Sequence, residues 1–422
     1  MLDIKFIREN PEKVKEAMRN RNVDFDVDAL LAIDEKRRAM IKETDDLRSR
    51  QNEFADEISH ASGAERQGKI EESKKIKMQL AGADEELKTV GEEFMRLMRE
   101  IPNIPSRDVP VGKGERDNVV HREVGKKPEF GFESKDHAEL GEALGIIDFE
   151  RGAKVAGSGF YYLKNAGALL ELALVHYAFD FLQKKGFTLC TTPDMARRQF
   201  YLGTGYLPRG PEAQTYEIAE SDLGLIATSE VTLAALHADE IMEEEVFPVL
   251  YAGYSHCFRQ ESGAYGKYSR GLYRVHQFTK VEMFAYARPD ESERIHEDLL
   301  RFEEELWQGL DVPYRVLEMC TADLGAQAAR KYDLEAWMPG RGDWGEITST
   351  SNTTDYQARN LNIRYRKKGG HTEFVHMLNG TAVATSRAIV AILENYQQAD
   401  GSVRVPEVLQ RYMGGLKIIQ RS

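Results

Sequence analysis

The chain has 422 residues, with 57 Lys and Arg against 70 Asp and Glu for a net charge of −13, and it is 41 % hydrophobic and 30 % charged. That balance is ordinary for a soluble globular protein, the length suits two or three domains, and no run approaches the ~18 apolar residues of a membrane span. The start, Met1-Leu2-Asp3-Ile4-Lys5, has no basic stretch leading into an apolar one, so no secretion signal is expected; Cys190, Cys257 and Cys320 are too scattered for a disulfide framework or a CxxC metal knuckle, as expected of a cytoplasmic protein. An acidic total also argues against a generic nucleic-acid binder, so charge has to be read region by region.

Residues 4–20 read as one short amphipathic helix, placed to cap the base of a long helical region. In that region, from 28 to 101, Leu30, Ile33, Arg37, Met40, Thr44, Leu47, Gln51, Phe54 and Ile58 step by three and four, and Ile76, Leu80, Ala83, Leu87, Val90, Phe94, Leu97 and Ile101 continue the rhythm. A spacing of 3.5 residues gives each helix one apolar seam. The small, polar run Ser59–Ala64 breaks the first helix, so the two pair antiparallel. Helices of ~35 residues make an arm about 50 Å long. A dimerising coiled coil shows the same periodicity; the turn favours the hairpin. Near its tip Arg66, Lys69, Lys74, Lys75 and Lys77 face only Glu71 and Glu72, a local excess compatible with touching phosphates, although charge runs on helices are usually solvated faces.

Pro102, Pro105, Pro110, Gly112 and Gly114 then mark a linker over 102–120. Beyond it, Leu169 to Lys184 reads as a helix, β-rich runs fall at 225–228, 248–252, 272–287 and 314–319, and a last helix spans Thr385 to Tyr396. Helices and strands do not alternate, which predicts an α+β fold: an antiparallel two-helix arm over 1–101, and a domain over 121–422 built on an antiparallel sheet flanked by helices.

Several signatures fail. Gly266-Lys267 lacks the rest of a phosphate loop, Gly157-Ser158-Gly159 lacks the outer glycine of GxSxG, and His296-Glu297 has no second histidine at the metalloprotease spacing. Adjacent His256 and Cys257 would point to opposite faces of a strand. The informative stretch holds Arg259, Lys267, Arg270, Arg274 and Lys280 against the single acid Glu261. Arginines on two strands and their loop suit a triphosphate, because guanidinium binds phosphate oxygens bidentately; a hairpin with its charges in solvent is the plainer alternative.

Phe258-Arg259-x-Glu261, the loop, and Arg274-xxx-Phe278-xxx-Glu282 resemble motif 2 of the class II aminoacyl-tRNA synthetases. Gly186-Phe187 leading to Pro193 is similar to motif 1, and Asn379-Gly380-Thr381 through Arg387 to motif 3. Thr228-Ser229-Glu230, Glu346-Ile347-Thr348-Ser349 and the arm narrow the resemblance to seryl-tRNA synthetases of the bacterial type, over residues 1 to about 412. The resemblance implies ligation of L-serine to tRNA(Ser), and to tRNA(Sec) where present, through a seryl-adenylate made from ATP. It implies that Arg259 bridges the serine carboxylate and the α-phosphate, that Phe278 and Arg387 sandwich adenine, and that Arg274 meets the outer phosphates. Gln260, Glu261, Val275, Ile347 and Thr348 complete the ATP site, Glu346 and Ser349 carry Mg²⁺, and Thr228, Ser229, Glu230, Arg259, Glu282, Asn379 and Thr381 bind serine. Arg259, Glu346 and Arg387 are the implied catalytic set. A homodimer is implied, with the arm of one subunit serving tRNA on the other through Arg66, Lys69, Lys74, Lys75 and Lys77.

Thr385-Ser386 stand where many members carry glycine, which bears on how closely the backbone packs near adenine. No cysteine matches the zinc ligand of the methanogen variant, so no zinc is expected, and no segment resembles an editing domain. An aminoacyl:carrier-protein ligase, which lacks the long arm, or a biosynthetic seryl transferase on the same fold, and an inactive coiled-coil paralogue are the alternative readings.

Overall fold

The computed structural model describes residues 1–205, 215–261 and 271–421. Lys267 and Arg270 of the basic cluster lie outside the described residues. The chain divides into two compact units: Met1–Arg19 with Val23–Pro102, and Asn20–Asn22 with Asn103–Ser422.

In the first unit the helix expected over 4–20 is two, α1 (Ile4–Glu9) and α2 (Pro11–Asn20). The break has a plain cause: proline cannot donate a helical hydrogen bond but is well placed at a first turn, so Asn10 ends one helix and Pro11 begins the next. The arm consists of α3 (Val27–His60) and α4 (Gly63–Glu100), joined through Ala61 and Ser62. Asp26 caps α3 by accepting from the Ala29 N–H. Leu30, Met40, Thr44, Ile76, Val90, Phe94 and Ile101 of the expected seam are buried, and the other seam positions are half-buried. Asp34 joins them at 1 % exposure, outside the apolar rhythm, because Arg8 (3.1 Å) and Arg38 (3.0 Å) neutralise it. Of the tip cations, Arg66, Lys74, Lys75 and Lys77 are exposed, whereas Lys69 is ion-paired to Glu57 (3.1 Å) and Glu65 (3.4 Å).

The second unit is built on an eight-stranded sheet. In chain order its strands are β1 (Val119–Val124), β2 (Thr188–Thr191), β3 (Val249–Phe258), β4 (Gln277–Ala287), β5 (Tyr314–Glu318), β6 (Arg330–Met338), β7 (Asp343–Asn352) and β8 (His376–Ala384). Their spatial order is β1-β5-β6-β7-β8-β4-β3-β2. Every pair is antiparallel except the edge pair β2–β3. The helices that bear on the site are α5 (His137–Ala143), α6 (Ala166–Lys184), α7 (Ser292–Gly309) and α8 (Thr385–Asn395). Residues 103–118 are no free tether: the Asn103 and Ser106 N–H groups donate to Ala326 and Ala329 carbonyls at 2.8 Å, and Val109 packs with Leu317, Met319 and Leu324.

Central strand β4 shows how one sequence serves two faces. Side chains alternate across a strand, so Val281, Met283 and Ala285 enter one core with Leu174, Leu299 and Ile389 of α6, α7 and α8. Phe284 and Tyr286 enter the other, with Leu233 and Met377. Phe278, Lys280 and Glu282 share the parity of Phe284, which places three chemistry-bearing side chains in a row.

His296, on α7, is a core residue rather than a ligand: it is 1 % exposed and its ring lies 5.3 Å from that of Tyr332. Burial depresses its pKa to about 4 from 6.5. A histidine neutral in the fold but protonated when unfolded costs stability as pH falls from 6.5 towards 4, by roughly 3 kcal/mol in all. His296→Gln is therefore expected to flatten the acid limb of a melting-temperature profile between pH 7 and 4; parallel curves for the two proteins would contradict this origin.

Candidate active site

On the face carrying Phe278, Lys280 and Glu282, a cleft encloses about 970 Å³ of empty space including its open mouth. It brings together Glu230, Arg259, Glu261, Val275, Phe278, Glu282, Glu346, Ile347, Thr348, Ser349, Asn379, Thr381 and Arg387 from the sequence expectation. Tyr273, Lys280, Lys331 and Ser386 line it too, without having been assigned a role from sequence.

Two slips in strand register build this constellation. Between β4 and β8, Val281 pairs with Val383 but Glu282 with Thr381, so Ala382 is extra. Thr381 thereby sits opposite Glu282, and its hydroxyl donates to the Glu282 carboxylate at 3.3 Å. Between β6 and β7, Leu334 pairs with Thr348 but Glu335 with Glu346, leaving Ile347 unpaired. In a regular strand, residues three apart face opposite sides; the extra residue restores one parity, so Glu346 and Ser349 share a face with Lys331 and Asp333.

Oppositely charged groups fill the floor. Arg387, in the first turn of α8, donates to Glu346 at 2.8 Å, and its guanidinium lies 5.0 Å from the Tyr273 ring centre. Lys331 pairs with Asp333 at 3.3 Å, and Lys280 with Glu282 at 2.5 Å. Burial works to push the Glu346 carboxyl up, but Arg387 and Lys331 prevail and hold it at about 2. It stays ionised at any working pH. Burial raises Asp333 to about 6 against the pull of Lys331. Behind the sheet, burial drives Glu303 well up; its carboxyl accepts from the Thr348 hydroxyl at 2.8 Å, and Glu282 and Asp333 push it further. Arg259, after β3, lies 5.2 Å from the Phe278 ring centre and makes one long contact, 3.4 Å, to the Ala227 carbonyl.

Four expected residues do not line the cleft. Thr228 and Ser229 are fully buried: the Glu230 N–H donates to Thr228 Oγ1 at 3.2 Å, and Ser229 Oγ donates to the Gly253 carbonyl at 3.3 Å. They shape the turn that delivers Glu230, whose carboxylate accepts from Gln357 at 2.8 Å. Gln260 donates to the Thr215 carbonyl at 2.9 Å, and half-exposed Arg274 pairs with Glu261 at 3.4 Å. Thr385 and Ser386, the departure in motif 3, are both buried, and the Thr385 hydroxyl lies 3.0 Å from the Thr279 carbonyl and 2.9 Å from the Glu171 carboxylate. His256 binds Asp194 at 2.9 Å, and Cys257 is buried against Phe278 and Val275.

Comparison with known proteins agrees with this geometry. Residues 215–396 match the tRNA synthetase class II core domain (G, H, P, S and T), and residues 1–105 match the seryl-tRNA synthetase N-terminal domain. The fold and cleft are those of a class II aminoacyl-tRNA synthetase. A serine–tRNA ligase of Rubrobacter xylanophilus is 54 % identical over 98 % of both chains, and one of Treponema denticola 48 % identical over 98 % of this chain and 99 % of its own. The crystal structure of seryl-tRNA synthetase from Pyrococcus horikoshii complexed with ATP superposes with a TM-score of 0.90 at 43 % identity, covering 100 % of both chains. The cytoplasmic serine–tRNA ligase of Naegleria fowleri in complex with AMP gives 0.85 at 36 %, covering 100 % of this chain and 99 % of that one. The chain belongs to the seryl-tRNA synthetase family. Among the described residues, no helix is long and apolar enough to cross a membrane.

Proposed function

We propose that the cleft condenses L-serine with ATP to seryl-adenylate and passes the seryl group to tRNA(Ser), and to tRNA(Sec) where that tRNA is present. A serine carboxylate oxygen attacks the α-phosphorus and pyrophosphate leaves; a 3′-terminal ribose hydroxyl of tRNA then attacks the seryl carbonyl and AMP leaves. Neither step needs a protein nucleophile, so the enzyme's task is positioning and charge stabilisation. The observation that carries this reading is the convergence of Arg259, Phe278, Glu346 and Arg387 with Glu230, Glu282 and Thr381 in one cleft. The nucleotides bound to the Pyrococcus and Naegleria relatives support it.

In this reading Arg259 meets the carboxylate and the α-phosphate, where negative charge gathers. Phe278 stacks on adenine, Arg387 covers its other face, and Arg274, Gln260, Glu261 and Val275 hold the rest of the nucleotide. Glu230 and Glu282 face the serine ammonium and hydroxyl, with Thr381 and Asn379 beside them and Thr228 and Ser229 shaping the pocket. A site that hydrogen-bonds a hydroxyl leaves its own groups unpaired with alanine, and so rejects it.

The family implies Mg²⁺, and the donors fit. Glu346 is a carboxylate kept ionised, and Ser349 stands on its face of the strand. Among the described residues no group of three His, Cys, Asp or Glu side chains is placed to hold a metal, which suits an ion sharing its oxygen ligands with substrate phosphates. Bound there, Mg²⁺ would neutralise phosphate charge. Residues 1–101 bind tRNA and 121–422 catalyse, in a cytoplasmic homodimer.

Serine-dependent ATP–pyrophosphate exchange, followed by charging of tRNA with a long variable arm, tests the reading. Both activities are expected. Exchange without charging would favour a carrier-protein ligase, and absence of exchange would overturn the assignment.

A further inference from the structure

His137 opens α5 at 7 % exposure, and both of its ring nitrogens are engaged. Nδ1 lies 2.7 Å from the Glu394 carboxylate, and the Leu272 N–H points at Nε2 from 3.1 Å. A backbone N–H can only donate, so Nε2 carries the lone pair and the ring proton sits on Nδ1, donated to Glu394. Glu394, fully buried near the end of α8, also accepts the His137 N–H at 3.1 Å and, with its other oxygen, the Gly340 N–H at 2.9 Å. One carboxylate thus fixes the imidazole, the start of α5 and the turn between β6 and β7.

The imidazole holds a functional piece of chain. Gly271 has φ +89°, and a Cβ there would lie 2.1 Å from His137 Nε2, so the backbone passes directly against the ring. Leu272 is fully buried, and next comes Tyr273. The Tyr273 hydroxyl donates to the Glu346 carbonyl at 3.1 Å, and its ring lies 4.5 Å from the Arg341 guanidinium and 5.0 Å from that of Arg387. Arg274 and Val275 follow. The Leu272–His137 hydrogen bond is therefore the polar tie immediately before the segment that presents Tyr273 and Val275 to the cleft. Lys280, Glu282 and Thr381 sit on β4 and β8 rather than on this segment.

We infer that His137 is a positioning residue for the nucleotide half of the site, acting through the Leu272 N–H. This rests on the assignment of ATP to Arg274, Val275 and Arg387.

The wild-type chain is tested first, with ¹⁵N-labelled histidine at pH 7.5. The neutral tautomer with Nδ1 protonated and Nε2 bare is expected; an Nε2–H tautomer or an imidazolium would overturn the inference. Two variants then separate the ring nitrogens. His137→Asn keeps a donor near Nδ1 but removes the acceptor, whereas His137→Gln puts an amide oxygen near Nε2. The Asn variant is expected to raise the KM for ATP in serine-dependent exchange about tenfold, with the KM for serine within about twofold, and the Gln variant to recover most of the loss. Equal effects on both substrates, or a Gln variant no better than Asn, would show a merely structural joint. Arg387→Ala tells the two failures apart. Unchanged ATP affinity in that variant would overturn the nucleotide assignment; lost affinity there, with none lost in His137→Asn, would overturn the inference alone.

Discussion

Replacing Arg259 with alanine is expected to lower serine-dependent ATP–pyrophosphate exchange by about 10²–10³, the usual cost of deleting one preorganised group aimed at developing charge. The melting temperature should stay where it is. The asymmetry follows from what Arg259 does in the structure. Among the described residues it makes no ion pair within 4 Å, unlike Arg387 with Glu346, Lys331 with Asp333 and Lys280 with Glu282. Its long contact to the Ala227 carbonyl and its seat over Phe278 aim the guanidinium without neutralising it. A cation left with unspent charge in a cleft is poised for an anionic substrate rather than for the fold. Arg259→Lys should recover only part of the rate, because a single ammonium cannot bridge two anionic groups with the planar fork of a guanidinium. Exchange within threefold of wild type in the alanine variant would refute this role, and a matching loss of stability would make the arginine structural.

The parts legible in sequence were those with a period or a fixed spacing. The 3/4 rhythm from Leu30 to Ile101 found the arm because each helix has one partner and so one seam. The resemblance of Arg259 to Glu282 to motif 2 pointed to the cleft, where the charge spacing alone left a solvated hairpin open, and antiparallel β3 and β4 bring those residues together. What escaped has equally physical reasons. β6 and β7 carry Lys331, Asp333, Glu346 and Ser349 at positions where a strand normally buries apolar groups, so the strand pattern is broken by the very residues that matter. The extra residues at Ile347 and Ala382 decide which side chains share a face, yet a bulge has no mark in composition. Asp34 is buried because Arg8 reaches it from another helix to join Arg38 from its own, and Lys69 is tied to Glu57 across the hairpin, which leaves Arg66, Lys74, Lys75 and Lys77 as the exposed tip cations. The acidic total misled as an average; its sign says nothing of where the cations cluster.

Replacing residues 49–83 with a short Gly/Ser turn is expected to reduce tRNA charging at least about a hundredfold, equivalent to ~3 kcal/mol of lost contact, while exchange stays within about twofold. Every described residue lining the cleft belongs to the second unit, so the replacement leaves that lining in place. The base of the arm keeps its own supports: the Arg37 guanidinium stays 4.8 Å from the Phe94 ring centre, Arg48 still reaches Asp84 at 2.8 Å, and Val90, Phe94 and Met98 remain buried. If both activities fall together, the division of labour between the units is wrong. If neither falls, the arm is a spectator. The milder variant, with Arg66, Lys74, Lys75 and Lys77 changed to glutamine, separates shape from charge. Phosphate contacts release counterions, so each one lost should reduce the slope of log affinity against log salt by somewhat less than one. A slope unchanged by the four substitutions would move the RNA-binding surface away from the arm tip, because a cation that touches no phosphate releases no counterion.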